Sequence, residues 1–175
     1  NNWSVTGVEP TGNPFTPIAT IDISGTCLQA DQSTACSDTG NNVIRVAVNG
    51  VLQAQTDTTV DGSWSITGVS EPTAGHIVTV FIDGEAASAS QAVAVTQWDS
   101  GATITGVELI ESHLTIGSSQ NNTIDNTDLG DYDSSVSGKM TFHVNAGGGI
   151  TVDGDEVLAS EKLYIGSGDT YQPGG

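Results

Sequence analysis

The chain is predicted to be an all-β protein that folds as two tandem antiparallel β-sandwiches with an extended strand at the N-terminus. Three observations predict this fold. Short runs in which apolar and polar residues alternate recur along the 175 residues, and a period of two is the pattern of a half-buried strand. Pairs such as Asn-Gly and Asp-Gly, which favour tight turns, separate the runs at intervals of roughly 8 to 15 residues. The sequence shows no amphipathic pattern with the length of an ordinary helix.

The N-terminal segment carries a strand motif that the chain uses three times. Residues 3–8 return almost unchanged as residues 64–69, and the centre of the motif returns again in residues 103–108. Such recurrence favours a modular β architecture. Three prolines between residues 10 and 17 favour an extended backbone. We therefore expect residues 1–16 to form a strand and a linker outside the first domain.

Residues 17–99 are predicted to form the first sandwich. Ile44, Val46 and Val48 lie on one face of a strand. The pair Asn49-Gly50 follows, and both residues tolerate the positive φ of a two-residue hairpin turn. Six or seven short strands with turn signals between them are typical of an antiparallel sandwich.

Residues 100–175 are predicted to form a second, incomplete β domain. Its apolar runs predict strands, which are residues 103–110, 113–116, 140–145, 150–152 and 162–165. The polar stretch between the second and third of these is long for a loop in a compact domain. We expect a short helix or an ordered loop at residues 126–132. Because this domain has few strands, we also expect one of its sheet edges to be open to another strand.

The charge of the chain excludes one class of partner. Twenty-one acidic residues accompany three basic ones, so the formal net charge is -18. Such a field repels nucleic acid, because there is no basic patch to replace the counterions of the phosphates. No apolar run approaches the roughly 18 residues that a membrane helix needs. We expect neither nucleic-acid binding nor membrane insertion.

Cys27 and Cys36 are the only cysteines, and they bracket a polar loop. Two thiols without a nearby histidine cannot complete a tetrahedral zinc site, and their spacing is not that of a redox motif. A disulfide between them is therefore expected. Disulfides persist in oxidising compartments, so we expect the protein at the cell surface or in the extracellular space.

Two acidic clusters offer oxygen ligands of the type that calcium prefers. They consist of Asp128, Asp131 and Asp133, and of Asp153, Asp155 and Glu156. Neither cluster has the spacing of an EF-hand loop. The other interpretation is that these aspartates cap turns and remain solvated. We expect no cofactor, with calcium at one of these loops as the alternative.

The sequence contains no catalytic motif that would identify an enzyme. His76, His113 and His143 are scattered, and none is paired at the spacing of a metal site. We expect no catalytic residues. Asn2 and Asn121 begin Asn-x-Ser/Thr triplets, which are acceptors for N-glycosylation in hosts that modify secreted proteins.

The first domain contains three runs that carry a family resemblance, and these are Ile-Arg-Val-Ala-Val-Asn-Gly (44–50), Asp-Gly-Ser-Trp-Ser-Ile (61–66) and Val-Thr-Val-Phe-Ile-Asp-Gly (78–84). They resemble bacterial immunoglobulin-like domains of the Big type, which occur in tandem in large repetitive surface and adhesin proteins. The resemblance implies an immunoglobulin-like sandwich and transfers no catalytic residue. Residues 161–175 resemble segments that recur in long repetitive secreted proteins, which implies architecture alone.

These observations predict a structural subunit or repeat module of an extracellular, pilus-like fibre. The copies would assemble head to tail by donation of the N-terminal strand to a neighbour, so the partners are copies of the chain itself. The predicted assembly strand comprises Asn2, Trp3, Ser4, Val5, Thr6, Gly7 and Val8. The alternative is a ligand-binding adhesin or carbohydrate-binding module whose partners are surface glycans.

Overall fold

The computed structural model describes residues 18–37, 42–83, 91–120, 122–132, 142–144, 150–152, 155–156 and 163–173. These residues form fourteen strands and one short helix. In chain order they are β1 (Thr20–Leu28), β2 (Val43–Val48), β3 (Val51–Thr58), β4 (Ser63–Ser70), β5 (Ile77–Asp83), β6 (Val93–Gln97), β7 (Thr103–Ile110), β8 (Leu114–Ile116), β9 (Thr123–Asp125), α1 (Asn126–Tyr132), β10 (Phe142–Val144), β11 (Ile150–Val152), β12 (Asp155–Glu156), β13 (Leu163–Ile165) and β14 (Thr170–Gln172). The prediction of an all-β protein is confirmed.

Two sheets form a sandwich. The small sheet has the strand order β4-β1-β7, and the large sheet has the order β13-β8-β6-β5-β2-β3. Two further groups, β10-β11-β12 and β14-β9, complete the described strands.

The core between the small and large sheets is built from alternate residues of their strands. Trp64 and Trp98 belong to this core, where each is almost fully buried. β4 supplies Ile66 next to Trp64, and the facing strand β5 supplies Val78 and Val80. A fully buried aliphatic side chain stabilises a fold by about 1.5 to 3 kcal/mol. The alternation of apolar and polar residues in the sequence therefore identifies the residues of this core correctly.

The hairpin between β2 and β3 forms as predicted. Asn49 has a φ of 45° and Gly50 a φ of 73°, both in the left-handed region. This conformation matches the turn to the right-handed twist of the strands. The side chain of Asn49 adds a second constraint, because its Oδ1 accepts the backbone N–H of Ile77 at 2.8 Å. The turn is thereby tied to the start of β5.

The central strands β5, β6 and β8 of the large sheet are buried on both faces, which the period-two pattern did not predict. On the face away from the small sheet, Ile77 and Phe81 of β5 are buried together with Val93 and Val95 of β6. A third layer covers them, and its buried residues are Ile124, Leu129 and Ile150, from β9, α1 and β11. A strand covered on both sides reads as a continuous apolar run, as β5 does.

The strands on the two sides of residue 99 share both main sheets. β7 pairs with β1 in parallel, and β8 pairs with β6 in parallel. β13 and β14 also pair in parallel, with β8 and β9 respectively. The sheets are therefore mixed rather than purely antiparallel, which corrects that part of the expectation. The small and large sheets are not divided at the predicted boundary, because strands of residues 17–99 and of residues 100–175 lie side by side in each.

The helix α1 lies at the predicted position and is capped by aspartates. Asp125 Oδ1 accepts the backbone N–H groups of Thr127 at 2.7 Å and Asp128 at 3.0 Å. The carboxylate of Asp128 accepts the N–H of Asp125 in return, at 3.0 Å. This reciprocal arrangement satisfies free donors of the first helical turn. Leu129 of the helix is fully buried in the third layer.

The predicted disulfide is present between Cys27 and Cys36, whose Cα atoms are 5.3 Å apart. Both cysteines are buried. Within the loop, Asp31 accepts the backbone N–H groups of Ser33 and Thr34 and the hydroxyl of Thr34, at 2.7 to 2.9 Å. These hydrogen bonds, of which the one from the Thr34 hydroxyl has the largest effect, lower the pKa of Asp31 to about 2.

Among the described residues, no helix is long and apolar enough to cross a membrane.

Removal of the disulfide is expected to lower stability substantially. The double variant Cys27→Ala/Cys36→Ala should lose about 2 to 3 kcal/mol in the free energy of unfolding, because the open loop gains conformational entropy in the unfolded chain. Urea unfolding measures this loss. The wild-type protein with its disulfide reduced serves as the control and should behave like the variant. Equal stability of the variant and the oxidised wild type would contradict the structural role given to this bond.

Candidate functional site

The repeated strand motif occupies two equivalent places in the small sheet. Residues 64–69 lie in β4 and residues 103–108 lie in β7. The two strands flank β1, the first antiparallel to it and the second parallel to it. The two described copies of the motif therefore have the same neighbour in the fold.

Each described copy contains a β-bulge at its Thr-Gly pair. The register of β4 with β1 shifts between Ile66 and Val69, and the register of β7 with β1 shifts between Ile104 and Val107. The glycine of each bulge is left-handed, with a φ of 73° in β4 and 67° in β7. A bulge inserts one extra residue into a strand. Side chains three positions apart can then face the same side, and all four of these aliphatic residues are fully buried.

The bulge explains the sequence motif. The motif consists of an aliphatic residue followed by Thr, Gly and Val. Its first and last residues are three positions apart and both enter the core, which an unbroken strand does not allow. The N-terminal copy has the same succession at residues 5–8. The predicted assembly strand, residues 2–8, lies outside the described residues, as do both predicted glycosylation sites, Asn2 and Asn121.

The outer edges of the small sheet are occupied by polar groups of neighbouring segments. At the β4 edge, Asp57 accepts the N–H of Ser65 at 2.5 Å, and Gln55 donates to the carbonyl of Gly68 at 2.8 Å. At the β7 edge, Ser119 donates its N–H to the carbonyl of Thr105 at 2.8 Å and accepts the N–H of Thr105 at 3.0 Å. Occupied edges resist pairing with another chain.

Among the described strands, β13 is the outermost strand at one end of the large sheet, and it has an apolar residue exposed. β13 repeats the pattern of β8, since residues 163–167 read Leu-Tyr-Ile-Gly-Ser and residues 114–118 read Leu-Thr-Ile-Gly-Ser. The structure aligns Leu163 with Leu114 and Ile165 with Ile116. Ile116 is fully buried, whereas Ile165 is 41% exposed. The ladder of aliphatic residues therefore ends at a sheet edge that has an exposed side chain.

The repeat in β8 and β13 was missed by the sequence analysis, although the signal is present in the residues. The turns after the two strands lead to β9 and β14, which pair with each other, Thr170 with Thr123 and Tyr171 with Ile124. Two copies of a strand-turn-strand unit are thus stacked in register. A search for the short pattern Leu-x-Ile-Gly-Ser would have found this unit.

A polar cavity of about 330 Å³ lies beside the stacked units. Its walls come from β7 (Thr105, Glu108), from the turn after β8 (Ser118) and from β13 and the turn after it (Tyr164, Asp169). The cavity has a simple structural origin. The small sheet ends at β7 while the large sheet continues through β8 to β13. Among the described residues, β8 and β13 contribute no side chain to the core between the two sheets.

Asp169 holds the two turns of the stacked units together. Its Oδ2 accepts the N–H of Ser118 at 3.2 Å and its Oδ1 accepts the N–H of Asn122 at 3.0 Å. The carboxylate lies so close to Gly117 that an added Cβ there would be 2.6 Å from Oδ2. Gly117, with a φ of 138°, is therefore required by both space and backbone conformation.

Burial raises the pKa of one residue of the cavity, and a neighbouring negative charge raises that of another. Burial raises the pKa of Asp169, while the two backbone N–H groups oppose this rise. The negative charge of Glu108 raises the pKa of Tyr164, whose hydroxyl also donates a hydrogen bond to Glu108. At neutral pH the tyrosine is therefore a neutral donor, and each carboxylate retains lone pairs that can accept further hydrogen bonds.

The predicted calcium ligands lie partly outside the described residues. Asp128 caps α1, Asp131 lies in α1, and Asp155 lies in β12. Asp133 and Asp153 fall outside the described residues. Within the described ranges, no three His, Cys, Asp or Glu side chains are grouped as a metal site requires.

The side chains of His76 and His113 make local contacts. His76 Nδ1 accepts the backbone N–H of Thr73 at 3.2 Å. His113 is buried, and its Nδ1 lies 2.7 Å from the carbonyl oxygen of Glu111. His143 lies in β10.

Comparison with protein-family models gives no match for this chain, and comparison with curated proteins gives none either.

Replacement of the bulge glycines is expected to destabilise the small sheet through backbone strain. Gly68→Ala and Gly106→Ala should each cost about 1 to 2 kcal/mol, because alanine disfavours a left-handed conformation. An added Cβ meets no atom within 4 Å at either position, so a steric clash does not contribute. Urea unfolding measures the loss.

Asparagine provides the matched control for this experiment, because it tolerates the left-handed region better than alanine. Gly68→Asn and Gly106→Asn should recover part of the lost stability. Alanine variants as stable as the wild type would show that the motif does not depend on its bulge.

Proposed function

We propose that the protein is a structural module of an extracellular filament, in which the N-terminal strand of one copy pairs with the β13 edge of the next. The observation that carries the proposal is the end of the large sheet at β13, where the ladder of Leu114, Ile116 and Leu163 continues to an exposed Ile165. An incoming strand would bury this side chain and pair with the side of β13 that no described strand occupies.

The N-terminal segment is the proposed incoming strand because of its sequence. The two described copies of its motif are both strands, and both place their aliphatic residues in a core. The edges of β4 and β7 already carry hydrogen bonds to Asp57, Gln55 and Ser119. These contacts favour β13 over the small sheet as the receiving edge.

Assembly through two different surfaces leads to a fibre. The donated strand and the receiving edge are separate parts of the chain, so the contact is heterologous and continues from copy to copy unless the rotation closes a ring. Where copies are joined in one polypeptide, the same pairing would join successive modules.

The negative net charge of the module makes the proposed assembly depend on ionic strength. Each copy carries a formal charge of -18, so neighbouring copies repel one another at low ionic strength. Salt screens this repulsion over about 10 Å at 0.1 M. The buried disulfide is compatible with the extracellular location proposed here.

Deletion of residues 1–9 should abolish filaments, because the donated strand is lost. Ile165→Lys should also abolish or shorten them, since a lysine at the receiving edge disfavours strand addition. Val60→Lys is the matched control, because Val60 is an apolar residue that is 65% exposed and lies away from β13. Negative-stain electron microscopy at 0.15 M salt gives the readout.

Filaments formed by the deletion variant would contradict the proposal. Equal effects of Ile165→Lys and Val60→Lys would show that the β13 edge has no special part in assembly. Circular dichroism of each variant confirms that the β fold is retained before filaments are scored.

A further inference from the structure

We propose that the cavity between β7 and β13 binds a single neutral sugar residue, with one face of the sugar against Tyr164 and its hydroxyl groups donating to Glu108 and Asp169. This site is distinct from the proposed assembly strand, and it does not depend on filament formation. Its volume of about 330 Å³ falls at the lower end of small-ligand pockets, which suits one sugar ring rather than a long chain.

The polar groups of the cavity are arranged as acceptors around one aromatic wall. Glu108 lines the cavity from β7, and Asp169 lines it from the turn after β13. Thr105 adds an exposed hydroxyl group, while the hydroxyl of Ser118 is already hydrogen-bonded to Thr96 at 2.7 Å and accepts the N–H of Gln120 at 3.1 Å. A sugar presents many hydroxyl donors around an apolar ring face. An aromatic side chain flanked by carboxylates complements that combination.

The carboxylates are held in place before a ligand arrives. Asp169 is fixed by the N–H groups of Ser118 and Asn122, and Glu108 accepts the hydroxyl of Tyr164. Fixed acceptors reduce the entropy that binding would otherwise lose. Each carboxylate is already held by N–H or O–H donors from the protein, so a hydroxyl group fits the remaining lone pairs better than a cation that needs both oxygens.

The charge of the protein selects a neutral ligand. An anionic sugar would bring a further negative charge beside Glu108 and Asp169 in a chain of formal charge -18. Neutral hexosides and N-acetylhexosaminides therefore fit the cavity, and uronic or sialic acids do not.

Ligand-observed NMR with the full chain tests this site. The probes are the methyl glycosides of glucose, galactose, mannose and N-acetylglucosamine, with glucuronic acid as the anionic comparison. At least one neutral glycoside should bind in the millimolar range. Binding should shift the backbone amide signals of Ser118 and Asn122, because both N–H groups bond to Asp169.

Three variants make the test specific. Tyr164→Ala should weaken binding about tenfold through loss of the aromatic wall. Glu108→Gln should also weaken binding by about tenfold, because a charged acceptor is replaced by a neutral one. Glu71→Gln is the control, since Glu71 is an exposed glutamate outside the cavity, and it should leave binding unchanged. The melting temperature of each variant shows whether the fold is intact, and Tyr164→Phe keeps the ring if the alanine variant does not fold.

Several results would overturn the proposal. Absence of binding by all neutral probes would do so, as would equal binding by the wild type and a folded Glu108→Gln variant. A preference for glucuronic acid, or amide shifts caused by calcium alone, would replace the sugar with a different ligand class.

Discussion

The arrangement of the small sheet depends on β1, which pairs with a different strand on each side. Its neighbours are β4 and β7, which come from distant parts of the chain. The three strands approach so closely at Gly25 that an added Cβ would be 1.8 Å from the carbonyl oxygen of Val107 and 2.8 Å from the ring of Trp64. Only a residue without a side chain fits there. This contact joins residues on both sides of position 99 in one core.

The different widths of the two sheets create the features that we assign to function. Three strands of the small sheet face a large sheet of six, so β13 extends past the inter-sheet core. One side of that extension is the exposed edge at Ile165, and the other is the cavity between Tyr164 and Glu108. The third layer, packed through Leu129 and Ile124, covers the opposite face of the large sheet. The proposed assembly edge and the proposed ligand pocket therefore have a common structural origin, which is the difference in width between the two sheets.

The sequence predicts local structure well, because local structure depends on neighbouring residues. The Asn49-Gly50 turn, the helix near Asn126 and the bond between Cys27 and Cys36 all follow from short-range chemistry, and the structure confirms each one. Alternation also identified the faces of β2 and β4 that enter the core. These features need no knowledge of the rest of the chain.

The partners of the strands could not be predicted in the same way. The period of two in residues 103–110 shows that β7 is a strand, but it does not show that β7 lies parallel to β1. The cavity was missed for a related reason, since Asp169 is far in sequence from Glu108 and Ser118 and meets them only after the sheets form. For the stacked units, the repeat of Leu-x-Ile-Gly-Ser carried the pairing information in full. The other repeat does not predict pairing in this way, since its two described copies in β4 and β7 both pair with β1 and not with each other.

The most direct test of this account is the unfolding transition of a chain that ends at residue 99. Such a chain lacks Ile104, Val107 and Leu109, which are fully buried in the core beside β1. Their loss removes about 5 to 9 kcal/mol of apolar burial, as much as the whole stability of many domains. The account predicts that the shortened chain has no cooperative thermal transition by circular dichroism, while the full chain has one. A cooperative transition of the shortened chain at the midpoint of the full chain would contradict it and would show that residues 1–99 fold independently.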